Sequence, residues 1–463
     1  MNRKIILSFI TFCLLLTAFS ASVSVVNGQT KRQINQAKKL AGEGDKSFQK
    51  KDYQAAINKY AEAIALVPNF PDTHYWKGYA HYYLNEYDLA LAEMDAALER
   101  GYKPLDVYKL RWFLNYQKKD FEAALKDVEQ GLQFEPSNLT FNLAVGELNF
   151  AKGSYKQALA AYEKAVEIDP NNADAHYSIA ASYAALGDTD KQLLSALEAV
   201  KRNTKFLGEA YFLVGDGYQK AGKYNEAVTA YLKAMSAKPD IYATYHNLSD
   251  IYRNQNRFEE AITITKKGLV IFPNDANLYT DLGWYNSLGN HNFEAIIASK
   301  KAVELAPEQY AGYTNLCRAY YETKQYDLAL SSCNTALRLN PSDGEANVYL
   351  GFTYLSLNKE ETANKFFAKA VDGLREFTKN NPDYSDGFYL LGNAYYYVGQ
   401  PKDAIEAYNK CLQLSPRFAK ARYNLGLTYF VTKNMSAANE QYEELLKMDK
   451  DLAAKLKQTI DKK

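Results

Sequence analysis

Small and apolar residues recur along this chain with a fixed period. Ala56, Ala90, Ala124 and Ala158 stand 34 residues apart, as do Ala227, Ala261, Ala295, Ala329 and Ala363, and the ladder resumes with Ala404 and Ala438. Gln192 takes the rung between Ala158 and Ala227, and the step from Ala363 to Ala404 is lengthened. Ahead of each rung lies a small residue, as at Gly44, Gly78, Gly146, Ala180, Gly215, Ser249, Gly283, Cys317, Gly351, Gly392 and Gly426, with Trp112 the exception. A fixed period of this size means stacked units that each bury a face against their neighbours.

Within a unit the pattern is helical twice over. Tyr211, Val214, Gly215 and Tyr218 share one helical face, and so do Tyr224, Ala227, Val228, Tyr231 and Ala234. Ala221-Gly222-Lys223 interrupts them, Gly being the usual residue just past a helix end. Lys238-Pro239 then stops the second helix, because a residue before proline avoids the helical region. Asn171, Asn172, Asp275 and Ser342 are candidate N-caps.

These columns resemble the tetratricopeptide repeat (TPR), whose period and Gly…Tyr…Ala…Pro pattern they share. The resemblance implies an all-α fold, a right-handed superhelical solenoid of helix-turn-helix repeats. Twelve repeats fit residues 37–450, after a linker at 29–36 and before an amphipathic capping helix at 451–463 carrying Leu452, Leu456 and Ile460. Three departures carry expectations. Trp112 should splay repeat three. Gln192 and Thr204 should make repeat five the weakest, and a large residue at 192 should be tolerated. The seven extra residues between Leu374 and Pro382 should give repeat ten a long, projecting second helix.

Residues 1–28 read differently. Arg3-Lys4 precede an uncharged apolar run from Ile5 to Val26, the order of a secretory signal peptide cleaved after Gly28 or near Ser20 to Ser22. The run is also long enough for an uncleaved anchor, the rival reading and the one route to a membrane. Export would place the protein in a bacterial periplasm or cell envelope, or outside the cell. The charges nearly balance, 55 basic against 54 acidic residues. Nucleic-acid binders draw affinity from neutralising phosphates, so this balance points to no nucleic-acid partner. Cys317, Cys333 and Cys411 sit in core columns and read as buried thiols. A Cys317–Cys333 bridge is not expected, because the close contact between paired helices is placed at the Gly and Ala columns, a turn away from Cys333.

No enzyme is expected: the chain holds no His-Glu-x-x-His, Cys-x-x-Cys or Gly-x-Ser-x-Gly, and Gly42-Glu-Gly44-Asp-Lys46-Ser47 follows no strand. Neither a cofactor nor a metal is implied. The surplus lies in aromatic residues, with 39 tyrosines in all, more than the repeat columns use. In TPR proteins the first helix of each unit lines the concave groove. The resemblance therefore makes Tyr75, Trp76, Tyr79, Trp284, Tyr321 and Tyr389 candidate anchors, with Asn247, Asp250, Arg253, Asn315, Arg318 and Asn393 as polar partners for an extended ligand. Tyr and Trp pair apolar area with a polar tip, which suits binding surfaces. The bland alternative is that they thicken the packing between repeats. The set needed for the chaperone-type carboxylate clamp is absent; repeat one offers Ala41 and Asp45 instead. The expected function is a non-enzymatic scaffold that binds peptide segments or partner domains. A structural or assembly subunit of an envelope or secretion complex is the alternative, and a glycan-acting enzyme a remote one.

Overall fold

The computed structural model describes residues 29–461; the export segment expected at 1–28 lies outside them. Among the described residues there are 25 α-helices and no strand. They form twelve tandem pairs, from Lys31–Gln49 with Tyr53–Leu66 to Ala419–Val431 with Met435–Leu446, followed by the single helix Lys450–Asp461. No described helix is long and apolar enough to cross a membrane. The contacts divide the chain into two units, one through Ala175 and one from His176, so repeats one to four belong to the first.

Each pair turns through one left-handed residue. Gly153, Gly187, Gly222 and Gly399 occupy this position in four repeats, and Asn85, Asn256, Asn290 and Asn358 in four others. Lys51, Lys119, Lys324 and Lys433 take it in the rest, with φ near 60° (64°, 63°, 61° and 61°), a region that costs a residue with a Cβ about 1 kcal/mol. Asn172 and Asp275 cap helices as expected, accepting from Ala175 and Leu278 backbone N–H groups at 2.9 and 2.8 Å. Asp343 caps the helix of repeat ten in place of Ser342, accepting from Glu345 and Ala346.

The ladder alanines are fully buried, and the small column ahead of them packs against the residue sixteen positions on. A Cβ at Gly215 would lie 2.6 Å from Tyr231 Cδ1, and Gly44, Gly146, Gly351 and Gly392 face Tyr60, Tyr162, Phe367 and Tyr408 in the same way. Size is complementary across this contact. Where the first position is large, as at Trp112, the second is the smaller Val128, and both are buried in one cluster with Ala124 and Phe141. This contact also explains the bridge that the sequence reading did not expect. Cys317 and Cys333 are sixteen apart, their Cα atoms lie 5.0 Å from each other, and the disulfide is formed. The close approach includes these two columns as well as the Gly and Ala columns. Cys411 is a buried free thiol.

Gln192 is also fully buried. Its Nε2 donates to Leu213 O at 3.0 Å and Asp216 Oδ2 at 2.7 Å, tying repeat five to repeat six. Repeat ten's second helix is one continuous element, Glu360–Asn380. Its added turns do not project bare: Thr378 is buried and Phe377 meets the Tyr384 ring edge-on at 5.2 Å.

Candidate functional site

In the first unit, repeat two's first helix, Pro71–Tyr83, sets Tyr75, Trp76, Tyr79, Tyr82 and Tyr83 on one stripe at helical spacing. Tyr75 stacks on Tyr102 at 4.4 Å and Tyr83 on Tyr53 at 4.6 Å. Phe48 meets Trp76, Tyr79 and Tyr83 at 5.6, 6.1 and 5.7 Å, and Tyr82 meets Phe113 at 5.6 Å. Such pairs add about 0.5–1.5 kcal/mol beyond their buried area. The rings nonetheless keep an outer face, since Trp76 is 38% exposed and Tyr53, Tyr75, Tyr79, Tyr82 and Tyr83 are half-buried. Repeats one to three thus present a continuous aromatic face. Three sequence candidates, Tyr75, Trp76 and Tyr79, come together in it. Phe48 and Phe113 were missed, although they occupy groove columns of repeats one and three; counting only Tyr and Trp hid them.

The other nine candidates lie in the second unit, where most are engaged internally. Asn247 Nδ2 donates to Tyr231 OH at 3.1 Å, and Asn315 Nδ2 to Thr280 O at 2.8 Å. Asn393 Oδ1 accepts from Tyr408 OH at 2.8 Å and from Asn424 Nδ2 at 2.7 Å. Arg318 Nε donates to Tyr349 OH at 2.6 Å. Tyr321 packs among Tyr326, Tyr349 and Phe352, and Tyr389 against Tyr408 and Phe418. The donors expected to meet a ligand backbone are largely spent within the fold.

Arg253 is the centre of the arrangement. It is 4% exposed, its guanidinium lies 4.5 Å from the Trp284 ring and 4.6 Å from the Tyr384 ring, and it pairs with Asp250 at 2.6 Å and Asp386 at 3.2 Å. Asp386 opens the first helix of repeat eleven, so repeat seven is clasped to a repeat four units further on. Ser415 Oγ adds a bond to Asn254 O at 3.2 Å. A buried cation with two carboxylates and two rings is well compensated. The enclosed turn leaves a cavity of about 500 Å³ lined by Arg318, Tyr349, Tyr389, Asn393, Lys420 and Lys455 among others. Among the described residues no His, Cys, Asp and Glu side chains gather as a metal site.

Comparison with known proteins gives a consistent family. A family profile described as "TPR repeat" matches residues 44–85, 146–187 and 392–431. A second, "Tetratricopeptide repeat", matches 208–241, 242–275, 310–343 and 419–452. Together they cover more than half of the chain. The chain is 30% identical over 109 residues to the peroxisomal targeting signal receptor of Candida glabrata, an alignment covering 24% of this chain and 17% of the receptor. It is 37% identical over 79 residues to the small glutamine-rich tetratricopeptide repeat-containing protein 2 of Saccharomyces cerevisiae, covering 16% of this chain and 23% of that protein. It thus spans under a quarter of either relative's length. Among solved structures, yeast Tom70 aligns over 91% of this chain and 94% of its own at 18% identity, with a TM-score of 0.39.

Proposed function

The chain belongs to the tetratricopeptide-repeat family, and from that premise we propose that it is a non-enzymatic scaffold in the cell envelope that docks an extended segment of a partner protein on the aromatic face of repeats one to three. The observation that carries this is the half-exposed stripe around Trp76 and Tyr79. Rings fixed by other rings lose little entropy on binding, and Tyr and Trp are the residues that most often anchor interfaces. The relatives support a protein ligand, one being by name a receptor for a targeting signal. Export is supported by Arg3-Lys4 with the apolar run behind them, and by the Cys317–Cys333 bridge, since disulfides persist in oxidising compartments.

A photo-crosslinking residue at Tyr79 in the native host should capture the partner, and one at Phe293, an exposed residue on a second helix, should not. Capture only at Phe293 would place the partner on the outer helices. A second reading, an assembly subunit used as a spacer, is favoured by the clasp from Arg253 to Asp386, which fixes the second unit on itself. Partner recovery only from an intact large complex would support that reading.

A further inference from the structure

Repeat ten's second helix, Glu360–Asn380, has 21 residues where those of repeats eight and nine have 14. Seven added residues make nearly two full turns, so the buried face is hardly rotated and advances roughly 10 Å along the axis. The buried stripe of Ala363, Phe367, Ala370, Leu374 and Thr378 runs unbroken into the added turns. The next repeat follows that stripe. At the regular junction between repeats eight and nine, a Cβ on Gly312 would meet Ala302 and Val303, seven and eight positions past the ladder residue Ala295. At the junction between repeats ten and eleven, a Cβ on Gly387, in the same column as Gly312, would meet Phe377 and Thr378, fourteen and fifteen positions past Ala363. Repeat eleven is therefore docked seven residues further along its predecessor than the regular stack would place it.

That step carries the start of repeat eleven onto the groove side of repeats seven and eight. Tyr384 stacks on Trp284 at 5.5 Å, and Asp386 reaches Arg253 at 3.2 Å. Ser415 Oγ ties the same point together, 3.2 Å from Asn254 O and 3.1 Å from Ser385 Oγ. The cavity beside it is lined by Phe258 and Leu288 of repeats seven and eight and by Lys420 and Leu452 of repeat twelve and the capping helix, so the two ends of the turn face one another across it. The closure is made by groove side chains at one point. The buried alanines that hold each helix pair together take no part in it. No helix pair has to unfold for the contact to separate.

We propose that the seven-residue extension is a step in the array that closes the second unit into a latched ring, and that the latch at Arg253, Trp284, Tyr384 and Asp386 separates reversibly with every repeat still folded. The groove of repeats seven to eleven is then shut in one state and open in the other. The device lies wholly within the second unit, so it stands or falls separately from docking on the aromatic face.

The test uses the full chain with a fluorescence donor at Lys267 and an acceptor at Lys402, both exposed, introduced as non-natural amino acids. Energy transfer should report one short distance in the native chain. Urea below the unfolding transition should lengthen it while circular dichroism stays constant, and dilution should restore it. Asp386→Asn should lengthen it without urea and with helicity kept, whereas Lys365→Gln, on an exposed helix face, should change nothing. Deletion of residues 375–381 restores the regular spacing and should lengthen the distance by about 10 Å or more with a cooperative melt retained. A distance unchanged by Asp386→Asn would overturn the latch, and one unchanged by the deletion would overturn the role of the step. Lengthening that always coincides with lost helicity would overturn the reversible opening and make the closure an inseparable part of the fold. Should the deletion variant fail to fold, Asp386→Asn and the urea series still decide the latch.

Discussion

In repeat two, Tyr75, Trp76, Tyr79 and Tyr83 rest chiefly on other rings, and Trp76 keeps 38% of its surface. In repeats seven to eleven, the groove aromatics Trp284 and Tyr349 rest on Arg253 and Arg318, with Tyr349 buried and Trp284 half-buried. The residue types and the helical columns are similar. What differs is a charge in the column and an opposite charge far along the chain: Arg253 is clasped by Asp386, 133 residues away. An aromatic groove residue therefore serves packing where a distant partner closes over it and remains available where none does.

The largest effect should come from breaking the clasp. Arg253→Ala leaves Asp386 and Asp250 without their cation and should destabilise the second unit by about 3–5 kcal/mol. Hydrogen exchange should show faster opening in repeats seven to eleven and unchanged protection in repeats one to three. A uniform loss over the whole chain would mean that the two regions do not differ as described.

The core contact gives a smaller effect. Ala261→Leu should cost about 1–3 kcal/mol by overfilling a closed helix crossing. Gln192→Leu loses the bonds to Leu213 and Asp216 and should cost about 1–2 kcal/mol. Tolerance at 192, expected from the sequence, is thereby revised to a comparable loss, read by urea titration of each variant.

Lys324→Gly should stabilise repeat nine by about 1 kcal/mol, because φ of 61° suits glycine. A lower melting temperature would show that the lysine side chain matters more than the strain. The smallest effect concerns pH. The hydrogen bond that His246 Nδ1 donates to the Asp281 carboxylate raises the His246 pKa above its ordinary value. The folded pKa exceeds the unfolded one, so this contribution is complete below about 6.5 and disappears as pH rises through the folded value. His246→Gln should flatten that part of the pH dependence of exchange in repeats seven and eight.

The pairing of helices was legible because the alanine and small-residue columns repeat in nearly every unit, and the turn was legible at Gly222. The lysines in the same left-handed position were not, since lysine carries no preference for it. The Cys317–Cys333 bridge was missed because the small column was paired with the alanine column alone, whereas its Cβ direction also meets the residue sixteen on. Among the candidate site residues, the stripe at Tyr75, Trp76 and Tyr79 is a local helical pattern and can be read from one repeat. The engagement of Arg253 and Arg318 depends on Asp386 and Tyr349 in other repeats, which no local pattern displays.

The most direct test sets Trp76→Ala/Tyr79→Ala against Trp284→Ala, with affinity for the crosslinked partner and thermal stability measured for both. The first variant should lose affinity tenfold or more with little change in melting, and the second should melt lower while its affinity per folded molecule is kept. Retained affinity in the first together with loss in the second would show that the enclosed aromatics, not the open face, hold the partner.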